Sequence, residues 1–412
     1  MADEKLREFL LPFRDKSLRN EGTMANLSEY KCPACGAPME FDSQSQKMKC
    51  PYCETTMSVA EYTEQMKEQD KEAEETAQTG ANSVGNASVG KETSGKAEQA
   101  GNDGLEYWQD SETAGMRVYG CESCGGEIIA SETIGAMTCP YCGNNVVMKG
   151  QFSGDLKPNF IIPFKKNKKQ AKEAYYKHLE KKYFLPSVFK DENHIDEIKG
   201  VYVPFWLYDA EASGDMTYAA TRVHTRKTET PATITTYTTT DYFQLTRSGV
   251  AKFSKVPADG SSKMDDDLMD SVEPFDFHDL VPFTPAYMAG YLAERYDVSK
   301  EDSLTRAKER IKSSAEAAFY NTTTGYSSVV PEGNHLNIRA SKINYVLLPV
   351  WILNTTWEGQ QFIFAMNGQT GKIVGNLPCD KKSYWKYVGT RGLIASAIIM
   401  ALLCANLFIK LL

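Results

Sequence analysis

Between residues 151 and 380, apolar and polar positions fall into β-type runs separated by turn residues, with a few stretches of helical period. FIIPF at 160–164 reads as a short strand. Lys165–Phe184 reads as an amphipathic helix, with Ala171, Tyr175, Leu179 and Tyr183 at near-helical spacing and Pro186 ending it. Thr-, Tyr- and Val-rich runs predict strands at Val201–Ala210, Met216–His224, Thr233–Thr246 and Val250–Val256. Met264–Ser271, Ala286–Tyr296 and Leu304–Tyr320 predict helices. Strands return at Ile343–Leu353, Phe362–Met366 and Lys372–Val374. The expected fold class is α+β.

Two segments of this region repeat each other. Pro204-Phe-Trp-Leu-Tyr-Asp209 and Pro349-Val-Trp-Ile-Leu-Asn354 lie 145 residues apart, and Gly214 matches Gly359 at the same offset. A proline inside a strand points to an edge or a bulge, so two related edge hairpins are expected. They read either as Trp-anchored core hairpins or as a pair of peptide-docking edges.

The apolar pattern changes at the C-terminal end. Gly392–Ile409 carries no charged residue, and eighteen residues at about 1.5 Å each just cross a bilayer's hydrocarbon core. Lys381, Lys382, Lys386 and Arg391 precede it, interleaved with Tyr384, Trp385 and Tyr387. This is an aromatic belt with positive charge of the kind found on the cytoplasmic side. A single-pass tail anchor at 392–412 in the cell membrane, behind a juxtamembrane segment at 381–391, is expected, with the soluble body cytoplasmic. A buried core helix is the alternative, although no polar stripe marks one.

Eight of the ten cysteines form two copies of Cys-x2-Cys-x14-Cys-x2-Cys: Cys32, Cys35, Cys50 and Cys53, then Cys121, Cys124, Cys139 and Cys142. The copies are offset by 89 residues, and Gly36/Gly125, Met48/Met137, Pro51/Pro140 and Tyr52/Tyr141 keep that offset. Paired knuckles at this spacing predict zinc ribbons, each closing a tetrahedral S4 site that leaves no coordination position for chemistry. Two structural Zn ions are expected, with iron a poorer rival. No apolar leader opens the sequence, and thiols in a reducing compartment favour metal over disulfides.

The resulting layout is an N-terminal extension (1–23), ribbon 1 (24–57), a charged then Gly/Ser/Asn-rich flexible linker (58–104), ribbon 2 (105–150) and the mixed domain (151–380). Met24 offers a second plausible start. Ribbon 1 is expected to be loosely tethered and ribbon 2 to dock on the mixed domain. The start of the linker carries too few apolar residues to pack as a helix.

Little else suggests chemistry. Asn367-Gly-Gln-Thr-Gly-Lys372 fails the phosphate-loop spacing and reads as a turn between strands, which argues against an ATP-driven helicase. Asp265, Asp266, Asp267, Asp270 and Glu273 read as a solvated helix start rather than a magnesium site. The five histidines have no metal-ligating spacing, and neither Cys379 nor Cys404 has a catalytic signature. A net charge of −8 gives no general attraction to nucleic acid. One basic stretch stands out, with Lys165, Lys166, Lys168, Lys169, Lys172, Lys177, Lys181 and Lys182 against Glu173 and Glu180. It suits anionic lipid, nucleic acid phosphates or plain solvation. The ribbons themselves are not basic, which favours protein recognition over DNA.

With the ribbons, VYVPFWLYDAEASGD, NTTWEG…FAMNGQTGKIVG and the apolar tail in place, the chain from about Met24 onward resembles the bacterial transcription-factor-IIB-type zinc-ribbon membrane proteins. Family members are sometimes labelled replication-restart or primosomal helicases. Relatives can be encoded beside phage-shock protein A and SPFH-type or virion-core-like proteins. The resemblance implies the eight cysteines as ligands and a membrane-stress scaffold that recruits phage-shock or SPFH-type protein partners. The expected function is non-enzymatic: a membrane-anchored scaffold with no small-molecule substrate and no catalytic residue. The alternative is a nucleic-acid-binding ribbon protein using the 165–182 helix.

Overall fold

The computed structural model describes residues 30–66, 68, 105–108, 116–121, 123–131, 139–142, 147–151, 156–180, 182, 184–230 and 233–411. The expected extension at 1–23 and the Gly/Ser/Asn-rich part of the linker lie outside them.

Ribbon 1 folds as β1 (Glu40–Asp42), β2 (Lys47–Lys49), β3 (Thr56–Met57) and a helix α1 (59–66). The linker thus begins with a packed helix, not a solvated one. Val59 and Tyr62 suffice to bury it against Met39, Phe41 and Met48. Further on come β4 (Glu106–Tyr107), then the ribbon 2 strands β5 (Met116–Gly120), β6 (Glu127–Ser131) and β7 (Val147–Gln151), and β8 (Leu156–Lys157), which pairs with β4.

The mixed domain contains β9 (Phe160–Ile161), α2 (Lys168–Leu179), α3 (Glu192–Ile195), β10 (Lys199–Thr230), β11 (Thr233–Asp259), α4 (Asp266–Val272), β12 (Val281–Pro282), β13 (Leu292–Glu294), α5 (Lys300–Tyr320), β14 (Ser328–Trp357), β15 (Gln360–Asn367) and β16 (Ile373–Gly375). Helix α6 (Lys381–Leu411) follows.

The near-continuous apolar runs in β10 and β14 are those of strands covered on both faces, and these two strands pair antiparallel at the centre of the main sheet. One face is aromatic: Tyr202, Trp206, Tyr208, Tyr345 and Trp351 pack with Ala171, Tyr175 and Leu179 of α2. The other is aliphatic: Val203, Leu207, Leu348 and Val350 pack with Met269 and Val272 of α4 and with ribbon 2.

The Pro-x-Trp repeat marks a duplication of the whole unit. Val203 and Leu348, equivalent under the 145-residue offset, are direct partners in the ladder, so a local two-fold axis passes through them. The flanks obey the same axis. β13 runs parallel to β10 at Val201 and Tyr202, and β9 runs parallel to β14 at the equivalent Val346 and Leu347. Trp206 Nε1 donates to Val298 O and Trp351 Nε1 to Lys166 O, both at 2.9 Å. Each carbonyl immediately precedes a helix N-cap, Ser299 for α5 and Asn167 for α2. The domain is therefore two β–α–β–β units, β9–α2–β10–β11 and β13–α5–β14–β15.

The expectation of edge hairpins is corrected by this pairing, since both prolines lie in interior strands. Each sits in a seam where one neighbour has ended and the next begins. Pro204 lies between β13 and β11, and Pro349 between β9 and β15. Their carbonyls accept from Gly260 N (2.9 Å) and Gly368 N (2.8 Å), just past the ends of β11 and β15. A proline at such a seam sits where the ladder changes partner, so its missing N–H interrupts less pairing than it would in mid-strand.

Several predicted boundaries shift. The separate strands expected in 201–256 merge into β10 and β11, because Gly214 (φ +149°) does not break the strand. It lets β14 approach so closely that a Cβ there would lie 2.0 Å from His335 O. At about 3.3 Å per residue, β10 runs roughly 100 Å, and with β11 and β14 it projects as an arm with α5 along one face. Ala210 and Ala212 admit Ile311 and Ala315 of that helix. The helix expected at Ala286–Tyr296 is a single 3-10 turn followed by β13, divided by Gly290 at φ +86°. Helix α2 is shorter than expected; the capping box of Asn167 and Gln170 sets its start.

Ribbon 1 is also not loose. Phe41 N donates to Ala289 O (3.1 Å), the Phe41 ring meets Tyr287 edge-on, and Gln46 Nε2 donates to Phe164 O (2.8 Å). The apolar face of β1 sets where the ribbon rests.

The matched tryptophans give a test. Trp206→Ala and Trp351→Ala should each lower stability by about 3–5 kcal/mol in denaturant titrations. A loss under about 1 kcal/mol in either would contradict their equivalent roles.

Candidate metal centres

The knuckle turns are built alike. In ribbon 1, Gly36 N donates to Cys32 O and Cys32 N to Ala37 O. In ribbon 2, Gly125 N donates to Cys121 O and Cys121 N to Gly126 O. Gly36 (φ +72°) and Gly125 (φ +71°) supply the left-handed residue that brings the second sulfur of each pair back beside the first.

All eight predicted ligands converge in two groups, with the sulfurs of each group within 4.8 Å of one another. Cys32 and Cys53 lie 3.5 Å apart, as do Cys35 and Cys50. In ribbon 2 the separations are 3.4 Å for Cys121–Cys142 and 3.6 Å for Cys124–Cys139. Tetrahedral ligation at about 2.3 Å requires sulfurs roughly 3.8 Å apart, so both quartets fit one ion each as all-thiolate structural sites. Among the described residues no other group of this kind occurs.

The two sites differ in their surroundings. Cys35 and Cys53 of ribbon 1 are exposed, whereas three sulfurs of ribbon 2 are buried and Cys124 is half-buried. The Thr55 hydroxyl, 3.1 Å from Cys53 Sγ, and the Thr55 amide pull the Cys53 thiol down to about 6. In ribbon 2, burial pushes the Cys124 and Cys139 thiols up. A bound cation is what would keep them as thiolates.

The repeated tyrosines make the contrast plain. Tyr52 is 74% exposed, whereas Tyr141 is 2% exposed and inserted into the body. Tyr141 OH donates to Glu294 Oε2 at 2.5 Å, and Asn354 Nδ2 donates to Tyr141 O. Ser261 OH donates to the other Glu294 oxygen at 2.6 Å. Burial pushes the Glu294 carboxyl up to about 7, and burial with the nearby Glu294 raises Asp259 as well. Glu294 was not legible as a site residue. It lies 153 residues from Tyr141 in a segment that reads as helix, and no local pattern joins the two.

The remaining candidates are structural. Asp265 caps α4 through Asp267 N (2.9 Å) and Leu268 N, while Asp266, Asp270 and Glu273 pair with Arg306 and Arg310. Asn367 heads the turn before β16, accepting from Gln369 N and Thr370 N, both at 2.9 Å. His194 bonds Thr355 (2.7 Å), and His278 and His224 pair with single aspartates.

The difference in exposure predicts the order of metal loss. Under a chelator the chain should release metal in two phases, with ribbon 1 first. A Cys35→Ser variant should lack the fast phase, and one uniform phase in the unaltered chain would contradict the assignment. A second prediction concerns Glu294. Its carboxyl ionises near 7 in the fold but near 4.5 when unfolded, so stability is complete below about 4.5 and falls as pH rises through 7. In metal-replete protein, Glu294→Gln should flatten this fall between about pH 5 and 7, as seen in denaturation midpoints. Parallel profiles would contradict it.

No protein-family model and no solved structure matches the chain. The uncharacterized protein YdjG of Bacillus subtilis (strain 168) is 37% identical to it over 235 residues, which is 57% of this chain and 68% of the relative. At that identity and coverage, the chain belongs to the same family as YdjG.

Proposed function

We propose that this protein is a non-enzymatic scaffold, held at the inner face of the cell membrane by α6, that recruits protein partners through its ribbons and its β arm. Both metal sites take zinc in this reading. A d10 ion accepts a closed tetrahedral thiolate set without redox chemistry. The observation that carries the reading is the arm. β11 runs 27 residues and, among the described residues, pairs only with β10, so its outer edge is open to an added strand.

Helix α6 supports the membrane part. Within its Lys381–Cys404 stretch an 18-residue window reaches a mean hydropathy of 1.7, and none of that window is buried by the rest of the chain. The lysines before it favour the cytoplasmic side for the body. The resemblance to transcription-factor-IIB-type zinc-ribbon membrane proteins belongs to the same reading, with envelope stress as the setting and phage-shock or SPFH-type proteins as the partner class. The nucleic-acid alternative is weakened, because Lys165 and Lys172 of the basic stretch are taken up by Asp279 and Asp196.

Two variants test the proposal. Deleting 392–412 should move the protein from the membrane to the soluble fraction, and continued membrane association would contradict the anchor. Thr221 and Tyr242 are register partners, so residues 222–241 can be replaced by an Asn-Gly turn that closes the hairpin. That variant should keep its metal and lose any partner that co-purifies with the full chain from solubilised membranes. An unchanged set of co-purifying proteins would contradict a docking role for the arm.

A further inference from the structure

Helices α2 and α6 are joined through Phe184. Its ring packs edge-on against Tyr384 and Tyr387, each at 5.3 Å between centroids, and its carbonyl accepts from Asp380 N at 2.7 Å. The uncharged run of α6 opens at Gly392, so Phe184 is held about 8–12 Å along the helix axis from the hydrocarbon edge. Headgroup layers occupy roughly 5–8 Å on each side of a bilayer. The end of α2 is therefore placed at the outer margin of the headgroup layer, within reach of a lysine side chain.

The lysines of the basic stretch separate accordingly. Lys165 bonds Asp279 and Lys172 bonds Asp196. Nearer Phe184, Lys177 and Lys182 are exposed and, among the described residues, enter no ion pair. The same holds for Lys381, Lys382 and Lys386 on the first turns of α6. Two acids stand nearby. Glu180 is exposed, and Asp380 is occupied by the Ser383 hydroxyl (2.6 Å) and Lys382 N (2.9 Å). The local balance is cationic. Arg391 is held over the Tyr387 ring at 5.2 Å, which continues the basic surface to the start of the span.

We propose that Lys177 and Lys182, together with Lys381, Lys382 and Lys386, form a binding surface for anionic lipid headgroups of the bilayer that holds α6. This rests on the membrane reading above and adds a lipid class to it. Phosphate oxygens meet unpaired ammonium groups at headgroup depth, where each basic residue contributes about 1 kcal/mol. Phe184 is the positioning residue, because it fixes the height of α2.

The test reconstitutes the full chain into neutral phosphatidylcholine vesicles and into vesicles containing phosphatidylglycerol. Flotation is measured first, then labelling by an amine-reactive reagent at each lysine. The chain should float with both compositions. Lys177 and Lys182 should be labelled several-fold less in the anionic vesicles, with protection lost in high salt, while exposed Lys169 stays unchanged as the internal control. Phe184→Ala should float but lose the protection. Lys177→Gln/Lys182→Gln, which alters only exposed residues, should weaken the protection of Lys381 and Lys382. Equal labelling in both vesicle types, with flotation intact, would overturn the lipid surface and leave the anchor standing. Failure to float with either would overturn both. Protection of the same lysines by an oligonucleotide but not by anionic lipid would overturn it in favour of nucleic acid.

Discussion

The sulfur quartet of ribbon 2 is the constraint on which the rest of the structure turns. Cys121 and Cys124 follow β5, whereas Cys139 and Cys142 lie, among the described residues, in a turn outside any strand. What ties that segment to the body is the convergence of the four sulfurs, the buried Tyr141 and the Asn354 contact. A metal at this point closes a small unit that lacks enough apolar residues for a core. It also covers the aliphatic face of the β10–β14 pair. Without that cover, Val203, Leu207 and Val350 would lose part of their apolar surroundings.

The duplicated architecture explains how one sheet supports both ends of the molecule. On the aromatic face, the two equivalent tryptophans fasten the starts of α2 and α5. On the aliphatic face, ribbon 2 extends the sheet through β6 beside β13. One copy of the unit sends its hairpin outward as the arm. The other keeps a short hairpin, β14–β15, which returns towards β16 and so to α6. The two halves share a plan and serve different ends, as the two ribbons do: Tyr52 faces solvent where Tyr141 is sunk against a carboxyl.

Much of this was legible in the sequence. The eight cysteines announced their grouping through spacing alone, because a knuckle is a local structure set by a few residues and a glycine. The apolar runs of β10 and β14 were equally clear. The Pro-x-Trp repeat was visible, but its meaning was not: a proline's cost depends on which neighbour faces its nitrogen, and that is settled by pairing across 145 residues. Ala286–Tyr296 read as helix because its apolar spacing allowed it, yet Gly290 and the ladder partner Val201 decided otherwise. Glu294 and the seat of ribbon 1 on Ala289 depend wholly on long-range contacts, which no local pattern encodes.

The most direct measurement is the metal content of the intact chain by native mass spectrometry, set beside that of Cys139→Ser, with denaturant unfolding of each. The account predicts two metal ions per chain, one in the variant, and a variant whose mixed domain unfolds at lower denaturant. A metal-free native chain, or a variant that loses its ion with no change in unfolding, would contradict it.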